Sequence, residues 1–455
     1  MLLCLSLSFP SHHQTMAAAP SLNSLPYEVR QTIYSLVARQ TNSNDWRKGP
    51  VSTIAHYATV SREWQEEFVE PITFKAIRVT PRRLKSFCQI VTSPRRRAIV
   101  QTICFHVSLD KYDSRLDGEP ETPAERRRST EILTMALGTF FRAMTQWQKS
   151  DTSPLGLDLH LRVDSPSDAS SLASRNGGAL VTGRALTSCL ELDLDVVSLP
   201  HIDVFGGFRC TGRHLQPTSI LFIVSRLQTL EYLDVELNHD STRNRDVKQR
   251  NSFALGLQNS ETIRVLCLRR PSPMLTPVYA PPKQPWSAFY DHMRTFSQQC
   301  ESFEFDDCID AVQFFTPFLL GSGIAEPPKG QEAPFFPRLK RLNVRNSYMM
   351  KSPYLRVTNR VEALASVRNL LAAIGRATRR MPALLFVRVC QYVLTDARLE
   401  WFVLIYEYHA DKVVMRTKGF RPGKLIANAW RESAAEKGTK LIIHHEKDDL
   451  NTPEL

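Results

Sequence analysis

One pattern recurs along this chain: an apolar residue, two of any kind, an apolar residue, one of any kind, an apolar residue. It is found at Val100-x-x-Ile103-x-Phe105, Leu230-x-x-Leu233-x-Val235 and Ile263-x-x-Leu266-x-Leu268. It returns at Cys300-x-x-Phe303-x-Phe305, Leu339-x-x-Leu342-x-Val344 and Leu384-x-x-Val387-x-Val389. The alternation in its second half suits a strand with one face buried. Between several copies lie stretches with helical spacing. Residues 130–148 carry Ile132, Leu133, Met135, Ala136, Phe140, Phe141 and Met144, and 360–380 carry Val361, Leu364, Val367, Leu370, Leu371 and Ile374. Residues 286–299 form a weaker example.

The last five copies start at 230, 263, 300, 339 and 384, so their separations are 33, 37, 39 and 45 residues. Leucine-rich repeats use a similar motif with about 20–29 residues per unit. The longer, uneven spacing predicts an irregular leucine-rich-repeat-like β/α array, each strand–helix pair burying its face on its neighbours. An ordinary α/β domain whose buried strands share a pattern is the alternative. Polar inserts at 113–123, 164–178, 271–285 and 321–337 read as surface loops. At the end, 399–408 and 413–418 read as a β-hairpin, 422–436 as a helix and 440–445 as a last strand. This block would close the open end of the array.

A chain of 455 residues is long enough for two or three domains at roughly 150 residues each. Its 42% apolar and 23% charged residues are ordinary for a globular protein. The net charge of +12 raises the question of nucleic acid. However, the basic runs Arg95-Arg96-Arg97, Arg126-Arg127-Arg128 and Arg379-Arg380 are short, with acidic residues interspersed and no interleaved aromatics. Direct nucleic-acid binding is therefore not expected. The nine cysteines include no C-x-x-C, which favours buried thiols in a reducing compartment over disulfides or a metal site. No stretch reaches the roughly 18 continuous apolar residues of a membrane span. Met16 followed by Ala17, Ala18 and Ala19 reads as an alternative start, and residues 1–20 as a disordered tail.

Catalytic signatures are missing from the sequence. There is no G-x-S-x-G, H-E-x-x-H, P-loop or G-x-G-x-x-G. His444 and His445 would point to opposite faces of a strand. Glu301, Glu304, Asp306 and Asp307 read as an acidic edge, either solvated or facing a basic partner. No catalytic residue, cofactor or metal is expected.

Residues 24–79 differ from the rest. Ser24 is a cap, Pro26 opens a first helix, and Val29, Ile33, Leu36 and Val37 fall on one helical face. Residues 41–50 read as a loop, and Ile54, Tyr57, Ala58 and Val60 mark a second helix. Ser61 caps a third, with Trp64 and Phe68 on its apolar side and Pro71 at its end; 74–79 reads as the array's first strand. Three short helices bury little surface, so this unit needs a partner or a neighbouring domain, or serves as a cap on the array.

The segment resembles an F-box. The resemblance rests on Leu25-Pro26-x-Glu28, then Ile33 and Leu36, then Val60-Ser61-Arg62-x-Trp64. The loop at 40–50 is longer than in many F-boxes. The run VSREWQEEFVEPITFKAIRVTPRRL is similar to a group of fungal F-box proteins. So, loosely, are 310–315 and Ala373-Ile374-Gly375-Arg376-Ala377 with Met381-Pro382. The resemblance implies a substrate-recognition adaptor of an SCF (Skp–cullin–F-box) ubiquitin ligase, cytoplasmic or nuclear. Its F-box would dock on a Skp-family linker, and through it a cullin, while the repeat-like region binds an unidentified target protein. Carried over by motif position, Leu25, Pro26, Val29, Ile33, Leu36, Val60 and Trp64 include the linker-contacting and core residues. The alternatives are an F-box scaffold without a degradation role and a basic repeat protein binding nucleic acid.

The expected fold is therefore α/β: an N-terminal three-helix F-box followed by an irregular leucine-rich-repeat-like β/α array, closed by a β-hairpin and helix. The expected boundaries are a tail at 1–20, the F-box at 21–75, the array at 76–446 and a charged tail at 447–455.

Overall fold

The computed structural model describes residues 25, 26, 28–30, 32, 33, 36, 59, 62–113, 116, 119, 121–149, 156–168, 189–196, 198–237, 243–269, 287–306, 308–319, 333–347, 360–395 and 398–446. The chain divides into two compact units, Met1–Lys75 and Ala76–Leu455.

In the first unit, residues 28–30, 32, 33 and 36 are helical. The N–H groups of Val29 and Arg30 both reach the Pro26 carbonyl at 3.1 Å, so Pro26 stands at the head of the helix, where its missing donor costs nothing. Arg30 Nε lies 3.1 Å from Glu63 Oε1, tying this helix to the one that carries Trp64. That later helix does not end at Pro71. It makes a π-type turn over Trp64–Val69 and continues as α1, Glu70–Lys75. The wider turn makes room for the proline ring, whose clash with a preceding carbonyl would otherwise break the helix. Phe74 and Lys75 are consequently helical rather than extended. The expected loop at 41–50 and second helix at 54–60 lie outside the described residues apart from Thr59; so do the two tails and most of the expected loops at 271–285 and 321–337.

The second unit is α/β, built on a large, mostly parallel sheet. Its strands are β1 (Ala76–Val79), β2 (Thr102–Ser108), β3 (Leu157–Asp164), β5 (Phe205–Gly212), β7 (Tyr232–Glu236), β8 (Val265–Arg269), β9 (Ser302–Asp306), β10 (Arg341–Ser347), β11 (Phe386–Thr395), β12 (Arg398–Tyr408), β13 (Lys412–Lys418) and β14 (Lys440–Glu446). Two short strands, β4 (Cys189–Leu190) and β6 (His214–Leu215), pair apart from it. Each strand of the large sheet lies beside the next one in sequence, from β1 at one edge to β14 at the other. From β1 to β11 every pairing is parallel; β11–β12 and β12–β13 are antiparallel, and β13–β14 is parallel again. Among the described strands the order never reverses, so they form no switch-point crevice of the doubly wound kind.

The recurring motif explains the register. Leu233, Leu266, Phe303, Leu342 and Val387 stand opposite one another on successive strands, and so do Val235, Leu268, Phe305, Val344 and Val389. All ten are buried, as are the leading residues Leu230, Ile263, Cys300, Leu339 and Leu384. A one-residue slip would turn every one of these side chains to the opposite face. Strands β3 and β5 join the same ladder through Leu159 and Phe208.

Helices cover this apolar face. The remaining ones are α2 (Leu84–Ile90), α3 (Pro94–Ile99), α4 (Pro123–Met144), α5 (Pro217–Val224), α6 (Arg243–Gln258), α7 (Ser287–Ser297), α8 (Ala311–Phe314), α9 (Arg360–Ala377) and α10 (Lys424–Glu436). Phe140 of α4 stacks on Phe105 of β2 at 4.3 Å, Phe314 of α8 sits 5.5 Å from Phe303, and Trp430 of α10 lies 4.9 Å from Tyr406. Helix α4 starts seven residues before the expected 130. Thr122 and Glu125 form a reciprocal capping box with Pro123 at the first turn, a combination that fixes a helix start at that point.

Candidate functional site

The side chains that alternate with the buried ladder point to the other face of the sheet, where polar and charged groups meet across strands. On β7, Asp234 lies between two arginines. Arg209 Nε of β5 is 2.8 Å from Asp234 Oδ2, and Arg269 Nε of β8 is 3.0 Å from Asp234 Oδ1. Tyr232 donates its hydroxyl to Asp234 Oδ2 at 3.0 Å and accepts from Arg209 Nη2 at 3.1 Å. The Asp234 side chain is 4% exposed, and two guanidinium partners with a phenol offset the cost of burying its charge.

The pairing continues in both directions. Toward β1, Arg162 Nε donates to Asp164 Oδ2 at 2.7 Å, His106 Nε2 meets Asp164 Oδ1 at 2.6 Å, and Arg78 Nη2 lies 2.6 Å from His106 Nδ1. Toward β11, Asn343 Nδ2 donates to Glu304 Oε2 at 3.3 Å and Arg345 Nη1 to Asp306 Oδ2 at 3.2 Å. Glu304, Asp306, Asn343, Arg345, Arg388 and Cys390 line a depression here. The expected acidic edge is thus not a free acidic patch. Glu301 is matched by Lys340 at 2.7 Å, Glu304 by Asn343 and Asp306 by Arg345; Asp307 lies outside the described residues. Parallel register at equivalent positions brings each carboxylate beside a donor on the following strand.

Burial sets the charge states on this surface. Desolvation pushes the Cys104 thiol up, takes Cys267 to about 11 and lowers His160 to about 4, with Arg209 and Arg162 adding to the His160 shift. These thiols are held away from the reactive thiolate. Glu236 is raised to about 7 by burial and by Asp234, against the pull of Arg269. His214 Nδ1 lies 3.7 Å from its carboxylate and is itself lowered to about 4 by burial and by Arg213.

No protein-family model matches the chain, and no curated protein matches it.

The sequence-derived linker residues fall into two groups. Val29 and Leu36 are exposed, at 43% and 54%, Pro26 is exposed, and Leu25 and Ile33 are half-buried. Trp64 is 8% exposed and sits edge-on to Phe68 at 5.3 Å, inside the packing of the first unit. Val60 lies outside the described residues. The polar ladder has no signature of its own in the sequence; its members occupy the free position between the last two apolar residues of the motif: Asp234, Cys267, Glu304, Asn343 and Arg388. Among the described residues, no group of three or more His, Cys, Asp or Glu is placed to hold a metal ion, and no helix is long and apolar enough to cross a membrane.

Proposed function

We propose that the chain is a substrate-recognition adaptor of an SCF ubiquitin ligase. In this reading residues 21–75 are an F-box that docks on a Skp-family linker, and 76–446 form a leucine-rich-repeat-like array that carries the target-binding surface. The observation that carries it is the exposure of Val29 and Leu36, seven residues apart in the first helical segment of a small, separate unit. Aliphatic side chains at that spacing share a helical face and serve as anchors for a partner groove. Trp64 then belongs to the module's own core, and the docking contacts fall to Leu25, Pro26, Val29, Ile33 and Leu36. Strands following one another in sequence order, joined by helices on one face, support the repeat reading. The polar sheet face is the target surface.

The interlocked charges on that face weigh against nucleic acid. Arg162, Arg209, Arg269 and Arg345 already face carboxylates, whereas phosphate binding needs cations free to replace counterions. Titrating purified linker against the full chain at about 50 mM and 500 mM salt separates the readings. Apolar docking predicts affinities within a few-fold of each other. A complex that disappears at high salt, or never forms, contradicts the proposal.

A further inference from the structure

The two edges of the large sheet are unlike. The β1 edge is four residues long, and short edges give a second strand little to pair with. The β14 edge runs seven residues, Lys440-Leu441-Ile442-Ile443-His444-His445-Glu446. It pairs with β13 in unbroken parallel register, with no bulge and no proline, and its three central aliphatic residues stay half-exposed. A regular edge with an apolar centre is a template for another strand.

The sequence of this edge specifies its occupant. Laid antiparallel on itself about Ile443, the strand sets Lys440 opposite Glu446 and Glu446 opposite Lys440. Ile443 meets Ile443, Ile442 meets His444, and Leu441 meets His445. Both charged pairs are attractive, and cross-strand pairs of opposite charge and of aliphatic residues are what stabilise antiparallel neighbours. Within one chain, Lys440 stands in register with Lys412 and Glu446 with Lys418 on β13; the opposing Glu446 would relieve the like-charge neighbours at the Lys440 end. Neither Lys440 nor Glu446 has an ion-pair partner among the described residues. A two-fold axis normal to the sheet through Ile443 keeps the helix-covered faces on one side and makes the contact self-complementary and closed.

We infer that β14 is the interface of a homodimer, in which two copies of this chain join their sheets edge to edge through Lys440–Glu446.

Charge exchange in the full-length protein tests this, read by sedimentation at micromolar concentration. Wild type is expected to sediment as a dimer. Lys440→Glu places Glu opposite Glu at both ends, and Glu446→Lys places Lys opposite Lys, so each single variant should raise the dimer dissociation constant roughly tenfold or more. Mixing the two variants restores both attractive pairs and should give a heterodimer. The double exchange, Lys440→Glu with Glu446→Lys, should dimerise like wild type. Both positions are solvent-exposed ends of the strand, so unchanged circular dichroism is expected throughout. A monomeric wild type, single variants that dimerise as well as wild type, or a mixture no tighter than its components would overturn the inference.

Discussion

Arg213 Nη2 and Asp168 Oδ1 meet at 3.0 Å with their side chains 1% and 6% exposed. Glu121 pairs with the same guanidinium at 5% exposure, Tyr112 donates its hydroxyl to Asp168 Oδ1 at 2.8 Å, and the Ser165 N–H holds Asp168 Oδ2 at 2.7 Å. This cluster joins the residue that follows β5 to the segments that follow β2 and β3. Arg213→Ala would strand two buried carboxylates, and a loss of about 3–5 kcal/mol is expected. Asp110→Ala breaks the pair with Arg128, in which both side chains are more than 60% exposed, and should cost less than about 1 kcal/mol. Urea denaturation of both variants checks the contrast; equal effects would contradict it.

Glu236 and His214 give stability an opposed pair of pH slopes. Glu236 is raised from 4.5 to about 7, so the native state keeps a proton that the unfolded chain loses, and its contribution, complete below about pH 4.5, disappears as pH rises through 7. His214 is lowered from 6.5 to about 4, so its contribution is complete above about pH 6.5 and is lost as pH falls through 4. Between about pH 4.5 and 6.5 the two offset each other. Glu236→Gln removes only the first slope. Relative to wild type it should gain roughly 1–3 kcal/mol on going from pH 4.5 to pH 8, at about 1.4 kcal/mol per unit discounted for its partial exposure. Thermal melts across that range measure it, and a gain toward acid pH would refute the assignment.

Gly375 sits in α9 against the indole of Trp430. A Cβ there would lie 2.9 Å from ring atoms of Trp430, whose Nε1 donates to the Leu371 carbonyl at 3.1 Å. Alanine favours helix by about 1 kcal/mol over glycine, but here overpacking of a fully buried ring, at about 1–3 kcal/mol, outweighs that gain. Gly375→Ala should lower the melting temperature and alter the Trp430 fluorescence.

The apolar ladder allows a direct comparison of the two faces. Leu266→Ala empties a fully buried site between Leu233 and Phe303 and should cost about 2–5 kcal/mol. Arg341→Ala, at an exposed position on β10, should stay within about 0.5 kcal/mol. Equal losses in denaturant titrations would mean that the ladder does not dominate stability.

How much of this could be read from sequence depends on what each residue answers to. Strands β2 and β7 to β11 were legible because Leu233, Leu266 and Phe303 repeat one local pattern. Strand β3 was not, because Gly156 stands where the leading apolar residue should be; β5 carries the pattern as Phe205-x-x-Phe208-x-Cys210, but Gly206 and Gly207 inside it argue against a strand. The start of α4 was legible in Thr122 and Glu125 but lay inside a polar stretch that reads as loop. Pro71 is a breaker accommodated by the π-type turn that precedes it. The arginine-flanked Asp234 depends on three strands arriving in register, which no single segment encodes.

Co-purification of the full-length chain with a Skp-family linker tests the central claim most directly. The comparison is wild type against a Val29→Asp, Leu36→Asp double variant. Both positions are exposed, so the variant should keep its fold by circular dichroism. Wild type is expected to retrieve the linker in near-stoichiometric amount, and the variant at least tenfold less, from charge placed in an apolar contact. Failure of wild type to retrieve the linker, or equal retrieval by a folded variant, would contradict the account.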